Sequence, residues 1–150
     1  MTWTPPTSRR AFLRAALAGA LMPALVVLPA GCAARRQRRR FADVQSREWT
    51  LSMIDGGRPP LSHRPTLVFE GGRAFGRAYI NQYSAACVLR ADGTVLMDAI
   101  MSTKMGGPEV WMADEGRYFA RLAAARTWKI ERGTLTLTGA PGESLTFTSP

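Results

Sequence analysis

The chain is poor in the residues from which most enzyme sites are built. It has one histidine, His63, and two cysteines, Cys32 and Cys87, in 150 residues. A lone His without a cysteine cluster cannot anchor an ordinary zinc site, whose protein ligands number three or four. Two cysteines allow at most one internal bridge, and none if either is modified. Neither a G-x-S-x-G elbow nor a Walker loop is present, and the glycines across Gly71–Gly76 are wrongly spaced for one. No apolar run reaches the roughly 20 residues that a spanning helix needs. Acid is absent from one end, since all eleven Asp and Glu lie at Asp43 or later.

The basic residues are as unevenly spread. Eight of the 20 Lys and Arg fall at Arg9, Arg10, Arg14, Arg35, Arg36, Arg38, Arg39 and Arg40. The remaining 12 face 11 acids, so residues 41–150 hold a net +1 of the formal +9. A nucleic-acid-binding domain keeps a basic face on its folded body. Here the charge sits ahead of the body, which argues against nucleic acid as a partner.

Residues 8–14 read S-R-R-A-F-L-R. This matches the twin-arginine export pattern, with Arg9 and Arg10 as the pair and Phe12 and Leu13 opening the hydrophobic stretch. An Ala- and Leu-rich run follows over residues 15–31, interrupted by Gly19, Pro23 and Pro29. Basic residues, an apolar run and small closing residues are the tripartite order of a signal peptide, expected over 1–31. The alternative is an uncleaved N-terminal anchor. Leu28-Pro29-Ala30-Gly31-Cys32 resembles a lipobox, although Pro29 stands where a Leu is usual. The resemblance implies acylation of Cys32 and a membrane anchor, in which each buried CH₂ adds about 0.8 kcal/mol. Cleavage after Ala30 or Ala34, leaving a soluble periplasmic protein, is the other reading. Ala33 lacks the Asp that favours inner-membrane retention, which by resemblance points to the outer membrane. Residues 32–46 are then an anchored basic linker. Its block Arg35–Arg40 reads as a solvated linker, as a signal keeping the leader out of the general secretory route, or as a patch for anionic head groups. At such a surface each arginine adds about 1 kcal/mol.

From Glu48 the chain changes character. Trp49–Ile54 alternates apolar and polar residues as a half-buried strand does. Asp55-Gly56-Gly57 marks a turn, and Arg58–Pro65 a loop with three prolines. Thr66–Phe69 and Arg73–Gly76 flank Glu70-Gly71-Gly72 as a hairpin. A second hairpin joins Ala86–Leu89 to Thr94–Met97. The spacing of Trp111, Glu115, Tyr118, Phe119 and Leu122 predicts one helix over Pro108–Ala125, with Pro in its first turn. Thr127–Glu131, Leu135–Thr138 and Leu145–Thr148 are further strands. About eight short strands and one helix give an α+β, β-dominant fold, a small antiparallel barrel-like sheet closed by a helix.

This order of motifs resembles the META domain, also called the HslJ-like family, over roughly residues 47–148. It runs from W-x-L at Trp49 and Leu51 through T-L-x-F-E at Thr66, Leu67, Phe69 and Glu70, Gly76, and N-x-Y at Asn81 and Tyr83. It continues with S-T-x-M at Ser102, Thr103 and Met105, the helical E-x-x-x-F-x-x-L of Glu115, Phe119 and Leu122, and a final L-x-L…L-x-F. The resemblance implies an envelope lipoprotein with a part in envelope integrity or stress tolerance, including heat and antibiotic exposure. It implies no defined molecular activity. Two departures stand out. Tyr79-Ile80-Asn81 replaces the family's G-C-N, and Met105-Gly106-Gly107 replaces the M-A-C of T-x-M-A-C. Those two cysteines are candidates for a disulfide in the family, and both are missing here, so no disulfide or redox role carries over.

Little in the pattern points to catalysis. Cys87 sits among apolar residues and reads as a small buried hydrophobe. Among the acids, Asp92 belongs to a turn, and Asp114 and Glu115 read as first-half helix charge suited to the positive dipole end. Asp98 has no matched partner. Asn81 and Thr103 are explained by buried hydrogen bonds that tie loops to strands. The expectation is a non-catalytic protein without metal or cofactor, its partner a membrane or an unidentified protein or lipid. A lipid- or protein-binding module comparable to secretion pilot lipoproteins is the alternative. An apolar cavity would support it, and a core filled by Trp49, Phe69, Phe119 and Trp128 would sink it.

Overall fold

The structure is a computed structural model that describes residues 30–45, 47–59 and 63–149. The export pattern at Arg9, Arg10, Phe12 and Leu13 lies outside the described residues. The elements are α1 (Ala30–Gln45), β1 (Trp49–Ile54), β2 (Thr66–Glu70), β3 (Arg73–Arg77), β4 (Gln82–Leu89), β5 (Val95–Ser102), α2 (Glu109–Ala124), β6 (Thr127–Glu131), β7 (Thr134–Thr138) and β8 (Ser144–Thr148). The eight strands form one antiparallel sheet in the order β5-β4-β3-β2-β1-β8-β7-β6.

The sheet curls until its two edge strands meet. Val95 N–H donates to Arg126 O at 3.0 Å, Trp128 N–H donates to Gly93 O at 2.7 Å, and Thr94 bridges Thr127. This seam is pinned at one end only. α2 runs between the two edge strands in sequence and packs against β5 and β8. The result is a barrel-like sheet closed by a helix.

Strand residues alternate in burial, as the pleat requires. Their inward side chains fill the interior, with Trp49, Leu51, Leu67, Leu135 and Phe147 fully buried and Phe69 and Trp128 nearly so. From α2 come Glu115, Tyr118 and Leu122, one stripe at three- and four-residue spacing. Phe119, expected in that core, is half-buried. Between β2 and β3, Gly71 and Gly72 both have positive φ, as a two-residue type I′ hairpin turn demands.

Three expectations are corrected. The described residues carry two helices, since the basic stretch read as a linker is helical through Gln45. Its last turn belongs to the core: Val44 is fully buried, its carbonyl accepts the Trp49 indole N–H at 2.9 Å, and Phe41 leans on Trp128. Apolar contact at Phe41 and Val44 holds the helix where charge alone would have left it solvated. β4 and β5 also extend beyond the expected spans, to Gln82 and Ser102, because a register shift between Ser84 and Ala86 lets pairing resume. Pro108 caps α2 rather than entering its first turn. Among the described residues no helix is long and apolar enough to cross a membrane.

At one end of α2, Arg121 donates to both oxygens of Asp55, at 2.9 and 3.0 Å, and to Glu143 at 2.8 Å. This clasp ties the β1–β2 turn and the β7–β8 hairpin to the helix. The Arg121 guanidinium holds the Asp55 carboxyl below its ordinary value.

Gly76 lies in β3 beside its hairpin partner β2, where an added Cβ would collide with Thr66 O. That oxygen cannot retreat freely, because it also accepts the Tyr83 hydroxyl at 2.8 Å. Gly76→Ala is expected to destabilise the fold by about 3 kcal/mol. Gly116→Ala, on the exposed side of α2 with nothing within 4 Å, is expected to stabilise it by about 0.5–1 kcal/mol. Urea midpoints of the two variants check the opposite signs.

Candidate functional site

After β3 the chain bends through Ala78–Ile80, closed by Ala78 N–H donating to Asn81 O at 2.7 Å. The Asn81 side chain then uses its whole bonding capacity. Its Oδ1 accepts from Thr103 Oγ1 at 2.7 Å and Met105 N–H at 2.8 Å. Its Nδ2 donates to Glu115 Oε1 at 2.6 Å and Met105 O at 3.2 Å. Glu115 Oε2 accepts the backbone N–H of Ile80 at 2.8 Å and of Asn81 at 2.9 Å. Thr103 Oγ1 also accepts Gln82 N–H at 3.2 Å. Three separate segments, the 78–81 bend, the exit from β5 and the middle of α2, are thereby joined through buried polar groups.

The structure thus gathers Asn81, Thr103, Met105 and Glu115 into one cluster. Met105 takes part through its backbone, while its side chain is exposed. Glu115 is where the sequence reading missed the role: the side chain read as helix charge is buried and accepts three donors. Its place on the same helical stripe as Tyr118 and Leu122 was the available signal.

A second polar contact lies deeper. Tyr83 and Tyr118 share a hydrogen bond of 2.8 Å beside Thr66 O, and Phe119 meets Tyr83 edge-on. Burial pushes both phenols well above their ordinary value, so they stay protonated. Cys87 is buried, and burial raises its thiol to about 11, which leaves no thiolate at neutral pH. Asp92 accepts Thr94 N–H in its turn and Asp98 accepts Ala99 N–H in its own strand. Trp49 belongs to the filled core, with the Arg47 guanidinium 5.7 Å from its ring centroid. Cys32 falls on the backbone of α1.

Residues 42–150 match the model of the META domain family. The chain belongs to the META domain family. Solved structures confirm the fold. One is the NMR structure of a protein from Burkholderia xenovorans, with TM-score 0.61 and 20% identity, covering 75% of this chain and 87% of that one. Another is the crystal structure of a DUF4847 family protein from Bacteroides vulgatus, with TM-score 0.53 and 13% identity, covering 70% and 93%. No curated protein matches the chain. The META match begins at residue 42, so Val44 and the last turn of α1 fall within it.

The two departures noted in the sequence turn out to be neighbours. A Cβ placed on Gly107 would lie 2.6 Å from Ile80 Cδ1 and 3.2 Å from its Cγ1. This META domain therefore fills with one Ile over one Gly the space where the resemblance implies two cysteines. Beside them opens a surface pocket of about 570 Å³ with Tyr79 and Trp111 in its walls.

Glu115→Gln turns one acceptor oxygen into an NH₂ that faces N–H donors. A loss of about 2 kcal/mol in urea-unfolding stability is expected. Ile80→Cys with Gly107→Cys is expected to form a disulfide on oxidation, since a Cβ built at position 107 comes within 3.2 and 3.7 Å of the two Cγ atoms of Ile80. The bridge should add about 3 kcal/mol, read as the difference between oxidised and reduced midpoints, with thiol counting to confirm closure.

Proposed function

We propose that the chain is an exported, non-catalytic envelope lipoprotein, held to a membrane through acylated Cys32, whose META domain supports envelope integrity or tolerance of stresses such as heat and antibiotics. The observation that carries this reading is α1. The twin-arginine pattern and the lipobox-like Leu28–Cys32 put the anchor twelve residues before Val44. A helix over that interval spans about 18 Å. An arm whose last turn is pinned to the core by Val44 holds the domain at a short, fixed distance from a bilayer, whereas a flexible linker would let it wander. Arg35, Arg36, Arg38 and Arg39 are exposed along the arm. At an anionic head-group surface they add to the acyl anchor, each by about 1 kcal/mol. Ala33, where an Asp would favour inner-membrane retention, favours the outer membrane.

The absence of catalysis is supported by how the motif residues are used. Asn81, Thr103 and Glu115 bond to one another and to backbone, and the Tyr83 and Tyr118 phenols stay protonated. The interior is filled by Trp49, Phe69, Tyr118 and Phe147, which leaves a barrel-bound acyl chain without room. Any ligand therefore sits on the surface.

Intact-mass analysis of the mature protein, with membrane fractionation, tests the anchor. Wild type is expected to carry acyl mass on Cys32 and to sediment with membranes, and Cys32→Ala to lose both. A mature wild-type N-terminus without acyl mass refutes the proposal.

A further inference from the structure

The pocket beside Ile80 and Gly107 is the feature that membrane attachment does not account for. At about 570 Å³ it lies within the size range of small-molecule sites. The charged side chains of its lining are of one sign only: Arg64 and Arg77, with His63 beside them and no Asp or Glu. Among the described residues no carboxylate pairs with either guanidinium. Two unpaired arginines at one opening favour an oxyanion, which a guanidinium fork binds through two parallel N–H donors.

The rest of the lining suits the remainder of such a ligand. Trp111 offers an indole against which His63 already rests, with ring centroids 4.1 Å apart. The Tyr79 ring is largely buried, while its hydroxyl keeps access to solvent and makes no hydrogen bond to any described residue. A phenol hydroxyl that keeps solvent access at a pocket wall is free to bond a ligand atom there. Gly106, Gly107 and Pro108 complete the lining and lead into α2, whose N-terminus has no side-chain cap. The dipole of that helix adds positive potential on the same side. Glu109, in the first turn, is exposed and does not line the pocket.

We propose that this pocket binds a small organic anion, a carboxylate or phosphate ester carried on a flat group, with the oxyanion between Arg64 and Arg77 and the flat group against Trp111. The Tyr79 hydroxyl supplies a further hydrogen bond. The site stands whether or not Cys32 is acylated, because none of its residues lies on α1.

The test is an NMR titration of the full chain with phenyl phosphate, benzoate and benzylamine, three probes of similar shape and different charge. At least one of the two anions is expected to shift the amides of Tyr79, Gly106 and Gly107 and the Trp111 indole N–H saturably, with a Kd of about 1 mM or tighter. The tighter of the two tells whether the natural ligand is a phosphate ester or a carboxylate. Benzylamine should leave these signals in place. Arg64→Gln with Arg77→Gln should weaken anion binding at least about tenfold, the factor that follows from losing roughly one charge-assisted contact. Both arginines are exposed, so the unfolding midpoint should hold. Tyr79→Phe, which removes only an unbonded hydroxyl, should weaken binding without altering the fold. No saturable shift with either anion, an equal response to benzylamine, or undiminished anion binding in the double-arginine variant overturns the proposal.

Discussion

A carboxylate taken out of water and given no cation must be met by hydrogen-bond donors, and Glu115 is met by three: the backbone N–H of Ile80 and Asn81 and the Asn81 amide. Those donors come from a bend that follows β3, while the carboxylate comes from α2. The contact therefore fixes where the helix lies on the sheet. Asn81 then passes the constraint on, since its other oxygen holds Thr103 and Met105 and so fixes the path from β5 into α2. Loss of Asn81 or Glu115 leaves buried groups of the other unpaired, which is why a cluster of this kind stabilises one arrangement strongly against others.

With α2 placed, the sheet can close. The edge strands meet through backbone bonds at Gly93–Val95 and Arg126–Trp128. The far end of the helix is held by the Arg121 clasp on Asp55 and Glu143. Between these fastenings the Tyr83–Tyr118 pair lies beside Thr66 O, the same oxygen that forces a glycine at position 76. Two of the motif positions, Gly76 and Tyr83, thus answer to a single carbonyl. The motif of this META domain is in large part a description of how one helix is seated on one curled sheet.

What is left for function lies outside that machinery. α1 extends from the core as a basic arm, and its last turn is held by Val44 and Phe41. The anion-favouring pocket lies on the other side of the Asn81 bend, sharing Tyr79 and Ile80 with it. The bend is therefore structural on its buried side and free for recognition on its open side. Ile80 and Gly107, where the resemblance implies two cysteines, shape the open side and leave the Asn81 bonds in place.

Alternation of apolar residues and the glycine pairs made most strands and hairpins legible in the sequence, because a two-residue period and positive φ are local properties of the chain. The helix over Pro108–Ala125 was legible for the same reason. The helical arm was not, since five arginines in a row of six say nothing of packing, and only Val44 and Phe41 meeting Trp49 and Trp128 in space fix it. The extensions of β4 and β5 were hidden by a bulge, which breaks the period that betrays a strand. Glu115 could be recognised as part of a motif, but its burial depended on donors some 35 residues away. The sequence by itself determined the strand pattern, the α+β class, the family, and the one-sided charge. Only the tertiary structure decided that Glu115 is an internal acceptor, that Ile80 meets Gly107, and that Arg64, Arg77, Tyr79 and Trp111 share one pocket. Those facts are distances between segments remote in the chain, and no local pattern of residues encodes them.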